Sequence, residues 1–310
     1  MRDNGHDIRV WVALAIVYVV WGSTYLGIAV MIETMPPMIG SGLRFVTAAL
    51  ILGIFLLVRR GAAPYRMTRR EVGGAALVGV LLLTGGNGMV AVAEQHISTG
   101  LAALLVASTP LWLVVLRTIG RDRPHLLTLT GVLIGFVGVA ILSVGGGTSG
   151  GDSIVGVMVI LFGSVSWATG SYLAGRIPMP KDPFAASTVE MTVGGAGLLL
   201  VGPVFGEHLA VAEVSTRSWL GLGYLVLVGS LVGFTSYAWL LGNAPISLVS
   251  TYAYVNPVVA VILGVLVLNE AVTVPMMAAG LVIVAGVALV VSTERRPSLA
   301  KPLTAPLTKT

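Results

Sequence analysis

Apolar residues run along this chain in long, nearly unbroken blocks rather than on one face of a soluble helix. Crossing roughly 30 Å of hydrocarbon at about 1.5 Å per residue takes about 20 mainly apolar residues. Ten stretches meet that length, near 10–31, 37–58, 72–93, 98–117, 126–144, 154–175, 184–205, 218–241, 246–268 and 273–292. Short connections carrying Pro, Gly or charge separate most of them. The pattern therefore predicts an all-α integral membrane fold of ten transmembrane helices. The first block reads as a span, because it is too long for a signal peptide and no small-residue cleavage site follows it. The stretch 294–310 is rich in Pro, Thr, Lys and Arg and reads as a disordered cytoplasmic tail.

Composition supports lipid as the solvent. Hydrophobic residues make up 56% of the 310 and charged residues 10%, against about 25% charged in a soluble domain. The net charge of +5 raises nucleic acid as a partner, but the placement of the basic residues explains it by topology. With the N-terminus inside, sixteen of the eighteen Lys and Arg fall in inside segments. Only Arg217 falls outside, and Arg44 sits within a span. Both termini are accordingly expected on the cytoplasmic side. The chain has no cysteine, so disulfides and thiolate chemistry are excluded. His6, His96, His125 and His208 lie far apart, with no metal-ligand spacing among them. A soluble enzyme is excluded, and no cofactor, metal or nucleic acid is expected.

The chain also repeats itself. Gly86 to Pro110 matches Gly233 to Pro257 at a constant offset of 147 residues, which lays Thr109-Pro110 on Asn256-Pro257. Trp21 to Leu26 matches Trp167 to Leu173 with one insertion, and Pro36 falls on Pro183. Two five-span halves follow, residues 1–146 and 152–293, joined by a glycine-rich outside link at 145–151. Five is odd, so the second half enters the membrane from the opposite side. Inverted repeats of this kind mark secondary transporters, which bind substrate near the midplane where the halves meet. The link lacks the Lys of a phosphate-binding loop.

These residues resemble paired EamA domains of the drug/metabolite transporter superfamily. The resemblance rests on Val20-Trp21-Gly22-Ser23-Thr24-Tyr25, Gly86-Asn87-Gly88-Met89-Val90 and Ser250-Thr251-Tyr252-Ala253-Tyr254-Val255-Asn256-Pro257. It covers essentially all ten spans and looks most like the YedA-type exporters. It implies a multi-pass protein of the cytoplasmic (inner) membrane that moves small metabolites, amino acids or drug-like solutes outward by alternating access. The family often carries Gly-Glu after the fourth and ninth spans. Here Asn269-Glu270 keeps the acid and Gly120-Arg121 does not.

Candidate chemistry sits in three places. Charges inside the bilayer cost about 2.5–3.5 kcal/mol each at a helix centre on insertion scales, which singles out Arg44 and Glu190 as gating or coupling residues. By rise per residue Arg44 lies about 12 Å from the outside surface and Glu190 about 10 Å from the inside. Their heights thus differ by some 8 Å, and direct pairing is open against separate structural roles. Pro110 and Pro257 are expected to kink their spans and free carbonyls. Asn87 and Asn256 beside them are either amides on a substrate cavity wall or interhelical hydrogen-bond partners. Trp21, Tyr25, Trp167, Tyr237 and Tyr254 lie deep enough to line an aromatic cavity suited to amphipathic or cationic solutes. Trp11 and Trp219, near span ends, suit interfacial anchoring. Gly131, Gly135 and Gly138 in span five, with Gly280 and Gly286 in span ten, imply close packing, inside one chain or across a dimer. Glu94 and His96 are expected in a solvated turn between spans three and four, and Glu270 at the end of span nine.

The reading is a secondary exporter of a small-molecule substrate, in contact with membrane lipid, with protons as a candidate coupling ion and monomer or homodimer left open. The alternatives are a flippase for lipids or lipid-linked intermediates and, with less support, an intramembrane enzyme. No nucleophile with a base, metal set or carboxylate cluster lies within the spans to serve the last of these.

Overall fold

The computed structural model describes residues 8–121, 124–145, 153–244, 249 and 251–294, and every regular element among them is helical. In chain order these are α1 (Ile8–Met31), α2 (Pro37–Arg60), α3 (Arg69–Ala93), α4 (Thr99–Ile119), α5 (Leu126–Gly145), α6 (Ile154–Ala174), α7 (Pro183–Val204), α8 (Thr216–Asn243, continuous through its three parts), α9 (Tyr252–Leu268) and α10 (Val274–Glu294). Eight of them are long and apolar enough to cross a membrane; the apolar stretches Leu126–Leu142 and Tyr252–Leu268 are shorter. The glycine link past Gly145 and the tail past Glu294 lie outside the described residues.

Local chemistry sets the helix boundaries. Thr68 opens α3 with a reciprocal capping box: its hydroxyl accepts from Glu71 N at 3.2 Å, and Glu71 Oε2 accepts from Thr68 N at 2.7 Å. Asp182 caps α7 by accepting from Phe184 N and Ala185 N at 2.9 and 3.1 Å. Asn269 ends α9 in the left-handed region at φ 56°, a conformation asparagine tolerates. Both α3 and α8 widen into π-helical turns, at Val80–Asn87 and Leu225–Val232.

The two prolines act differently from each other. α4 breaks at Ala107-Ser108 and restarts at Thr109, so Pro110 falls in a first turn where its missing N–H costs nothing. The hydroxyls of Ser108 and Thr109 donate to the carbonyls of Leu105 and Val106, both at 2.6 Å, satisfying groups that the break exposes. Pro257 instead stays within α9, one turn past its start.

Packing follows a few long seams. α2 lies along α7, α5 along α10, and α1 against α8 and α9, while α6 packs on α3 and α4. The span-five and span-ten glycines serve contact within the chain: a Cβ on Gly286 would come within 2.5 Å of Gly135 N, and one on Gly131 within 2.9 Å of Gly286 O. Large apolar side chains such as Leu133, Phe162, Leu200, Leu266 and Leu281 stand exposed on the outer faces. A belt of that kind fits hydrocarbon rather than water. Trp11 and Trp219 are also exposed, as anchors would be.

Candidate functional site

The centre of the site is a buried cation with no carboxylate partner among the described residues. α2 carries Arg44 inward, where its residue is only 4% exposed. Nε donates to Ser230 Oγ of α8 at 3.0 Å, and Nη1 donates to Asn87 Oδ1 of α3 at 3.4 Å. The guanidinium lies 4.8 Å from the Phe45 ring centroid. The π-helical turns contain both partners, since Asn87 closes one and Ser230 lies in the other. Nearby, Ser23 of α1 hydrogen-bonds Tyr224 of α8.

Arg44 and Glu190 do not form an ion pair. The register of α2 on α7 explains why. Gly42 faces Leu199, Phe45 and Val46 face Gly195, and Gly53 faces Thr188, so numbers rise on one helix as they fall on the other. That antiparallel seam sets Arg44 and Glu190 about seven residues, or roughly 10 Å, apart along the axis. Glu190 is half-buried on α7, its backbone against Gly79 of α3.

The aromatic candidates fall into two groups. Trp21, Tyr237 and Tyr252 cluster, Trp21 tilted against Tyr237 with centroids 4.9 Å apart and Tyr252 edge-on to both, at 5.1 Å from Trp21 and 5.8 Å from Tyr237. They pack with Val10, Leu14, Val17 and Leu240 in a small core of their own. Tyr18, on the same face of α1, hydrogen-bonds Thr251 and ties that core to the start of α9. Tyr25, Trp167 and Tyr254 pack instead against the larger core. Asn256 Oδ1 is buried with no hydrogen-bond partner, whereas Asn87 Oδ1 is taken up by Arg44.

One acid departs from the sequence expectation, and two more take capping roles that the sequence reading did not assign. Glu94 is not solvated: both its carboxyl oxygens are buried and unpartnered, while His96 two residues on is exposed as expected. The last turn of α3 delivers Glu94 under α1, within electrostatic reach of Tyr25. Glu270 does follow α9, yet it reaches across to cap α4, accepting from Thr99 N, Thr99 Oγ1 and Gly100 N at 2.7, 2.9 and 3.2 Å. Glu207 caps α2 in the same way, accepting from Met38 N at 3.0 Å and Ile39 N at 2.9 Å. A signal for Glu207 was present in sequence: a helix opening on Pro36-Pro37 has no side-chain cap of its own, so its first N–H groups need a remote acceptor.

A bundle of apolar helices enclosing a buried cation, with no carboxylate partner among the described residues, and several orphaned polar atoms is the makeup of a multi-pass membrane protein with a polar interior. The EamA-like transporter family model matches residues 9–144 and 154–292, and the chain belongs to that family, within the drug/metabolite transporter superfamily. It is 40% identical over 253 residues to the inner membrane transporter YedA of Escherichia coli, which spans 81% of this chain and 80% of that protein. It is 24% identical over 284 residues to the transporter YvbV of Bacillus subtilis, covering 91% of each. A crystal structure of 18% identity shares the fold with a TM-score of 0.62 over 92% of this chain and 99% of that one. The protein is a multi-pass inner-membrane transporter.

Proposed function

We propose that this protein is a secondary exporter that moves small metabolites, amino acids or drug-like solutes out of the cell by alternating access. Its ten helices form two inverted five-helix halves, 1–146 and 152–293, with both termini and the tail 294–310 on the cytoplasmic side. Exchanging the halves (α1 with α6, α2 with α7 and so on) supports that arrangement, because the packing seams map onto one another. α1 on α9 becomes α6 on α4, α1 on α8 becomes α6 on α3, and α2 on α8 becomes α7 on α3. The two separate family matches agree with it.

The observation that carries the reading is Arg44. A cation kept inside the membrane with no carboxylate partner among the described residues is costly, and charges kept at that cost mark functional sites. Asn87 holds it from within the first half while Ser230 belongs to the second, so relative motion of the halves makes or breaks the Ser230 bond. In this reading Arg44 is the gating residue and Glu190 a coupling residue, with protons as the candidate ion. Trp21, Tyr25, Asn87, Trp167, Tyr237, Tyr254 and Asn256 line the path that cargo takes. The Trp21–Tyr237–Tyr252 cluster closes that path near mid-height, Trp21 lying roughly 20 Å along α1 from Ile8.

Flux of amino acids and cationic drugs into proteoliposomes, with and without an imposed proton gradient, tests this. Saturable flux that Arg44→Gln abolishes is expected. Absence of flux for both cargo classes would overturn solute export and bring the lipid flippase forward.

A further inference from the structure

Glu94 ends α3 just past its last spanning residue, Ala93, and five residues before α4 begins. Neither of its carboxyl oxygens has a hydrogen-bond partner, and both are out of reach of solvent. A buried polar group without a partner costs on the order of 1–3 kcal/mol, and an ionised one more. The groups that act on it are Tyr25 from α1 and Glu270 from the turn after α9. Neither offers a positive charge. Glu270 repels it, and that acid's own oxygens are already occupied by the start of α4. α2 and α6 also pack on this part of α3, and neither brings a charge that acts on it. Among the described residues no Lys or Arg pairs with it, and His96 points to solvent. Burial first, and Glu270 second, hold the Glu94 carboxyl well above the ordinary carboxylate range.

Three events would relieve an ionised Glu94: protonation, arrival of a cation, or entry of water. Protonation needs no rearrangement of the closed packing, and the carboxyl stands where α1 of the first half meets the α9 turn of the second. We propose that Glu94 is a protonation site of the transport cycle, taking a proton from water as the helix ends around it close, holding it while they are closed and releasing it when they part. Resting on the transporter reading above for its place in a cycle, the site makes proton occupancy and closure of the outer end mutually dependent. High pH then favours the open outer end and low pH the closed one.

The titration is testable without cargo. Between the ordinary carboxylate value of about 4.3 and the raised value, the folded protein holds a proton that the unfolded chain has lost. Stability therefore falls as pH rises through that window. The thermal midpoint of the reconstituted protein is expected to fall from about pH 5 to about pH 8, and Glu94→Gln is expected to remove more than half of that slope. Equal slopes would overturn the proposal. A second measurement does not depend on how that variant folds. In a Glu190→Gln background a protonated-carboxyl infrared band must persist at neutral pH, and its absence would equally overturn it. Gradient-stimulated flux that survives Glu94→Gln would remove Glu94 from the cycle. A wild-type protein without flux, but with the titration intact, would instead sink the export reading and keep the protonation site.

Discussion

Trp21 of α1 rests on Gly233 of α8: a Cβ added to that glycine would come within 2.6 Å of the indole Nε1. The same relationship recurs between Trp167 of α6 and Gly86 of α3, where an added Cβ would lie 2.9 Å from the indole ring. Gly86 and Gly233 stand 147 residues apart, the offset of the internal repeat. In each case a tryptophan from one of the two family-matched segments lies on a glycine of the other, a contact that leaves no room for a side chain at the glycine.

Filling that space is expected to be costly. Gly233→Leu should lower stability by about 1–3 kcal/mol through overpacking against Trp21. Gly223→Ala, on the same helix with nothing near its Cβ position, should stay within about 0.5 kcal/mol of wild type. Thermal unfolding in detergent, read by fluorescence, separates the two; equal losses would refute a packing role for Gly233.

Arg44 makes a sharper case, because stability and transport are expected to part. Its bonds go to neutral groups and it has no carboxylate partner. Replacing a buried, unpaired charge by an apolar side chain of similar length relieves desolvation. Arg44→Met should therefore keep or slightly raise the thermal midpoint while flux falls at least tenfold. A midpoint that drops along with flux would mark Arg44 as structural.

The remote caps are expected to matter more than the visible salt bridges. Glu270→Ala strips acceptors from Thr99 and Gly100, and Glu207→Ala strips them from Met38 and Ile39. Each should cost about 1–3 kcal/mol, the penalty for orphaned backbone donors. Chemical denaturation of the purified variants measures it, and a change under about 0.5 kcal/mol would show that water takes over the caps.

Arg60 and Asp182 form an ion pair of 3.1 Å with side chains 53% and 24% exposed. Its two ends should respond unequally. Arg60→Ala removes only an exposed pair and should change stability by less than about 0.5 kcal/mol. Asp182→Ala also removes the N-cap of α7 and should cost about 1 kcal/mol.

By itself the sequence determined the solvent, the spans and the repeat. Twenty-residue apolar blocks can only be helices in lipid, because every backbone group must be satisfied within the segment. The positions of the helices were therefore legible in spacing, and the equivalence of Gly86 and Gly233 in offset; that each faces a tryptophan was not. What tertiary structure decided was which polar side chains meet. By rise per residue Arg44 and Glu190 stand roughly 8 Å apart in height with pairing open, and it is the packing that leaves them unpaired and gives Arg44 to Asn87 and Ser230 instead. Glu94 occupies a loop position that reads as solvated, yet α1 and the α9 turn cover it from 69 and 176 residues away in the chain. Glu207 and Glu270 cap helices nearly 170 residues distant. Local periodicity encodes which face of a helix is apolar; it holds no record of which distant helix covers that face, and burial of a charge is a property of that cover.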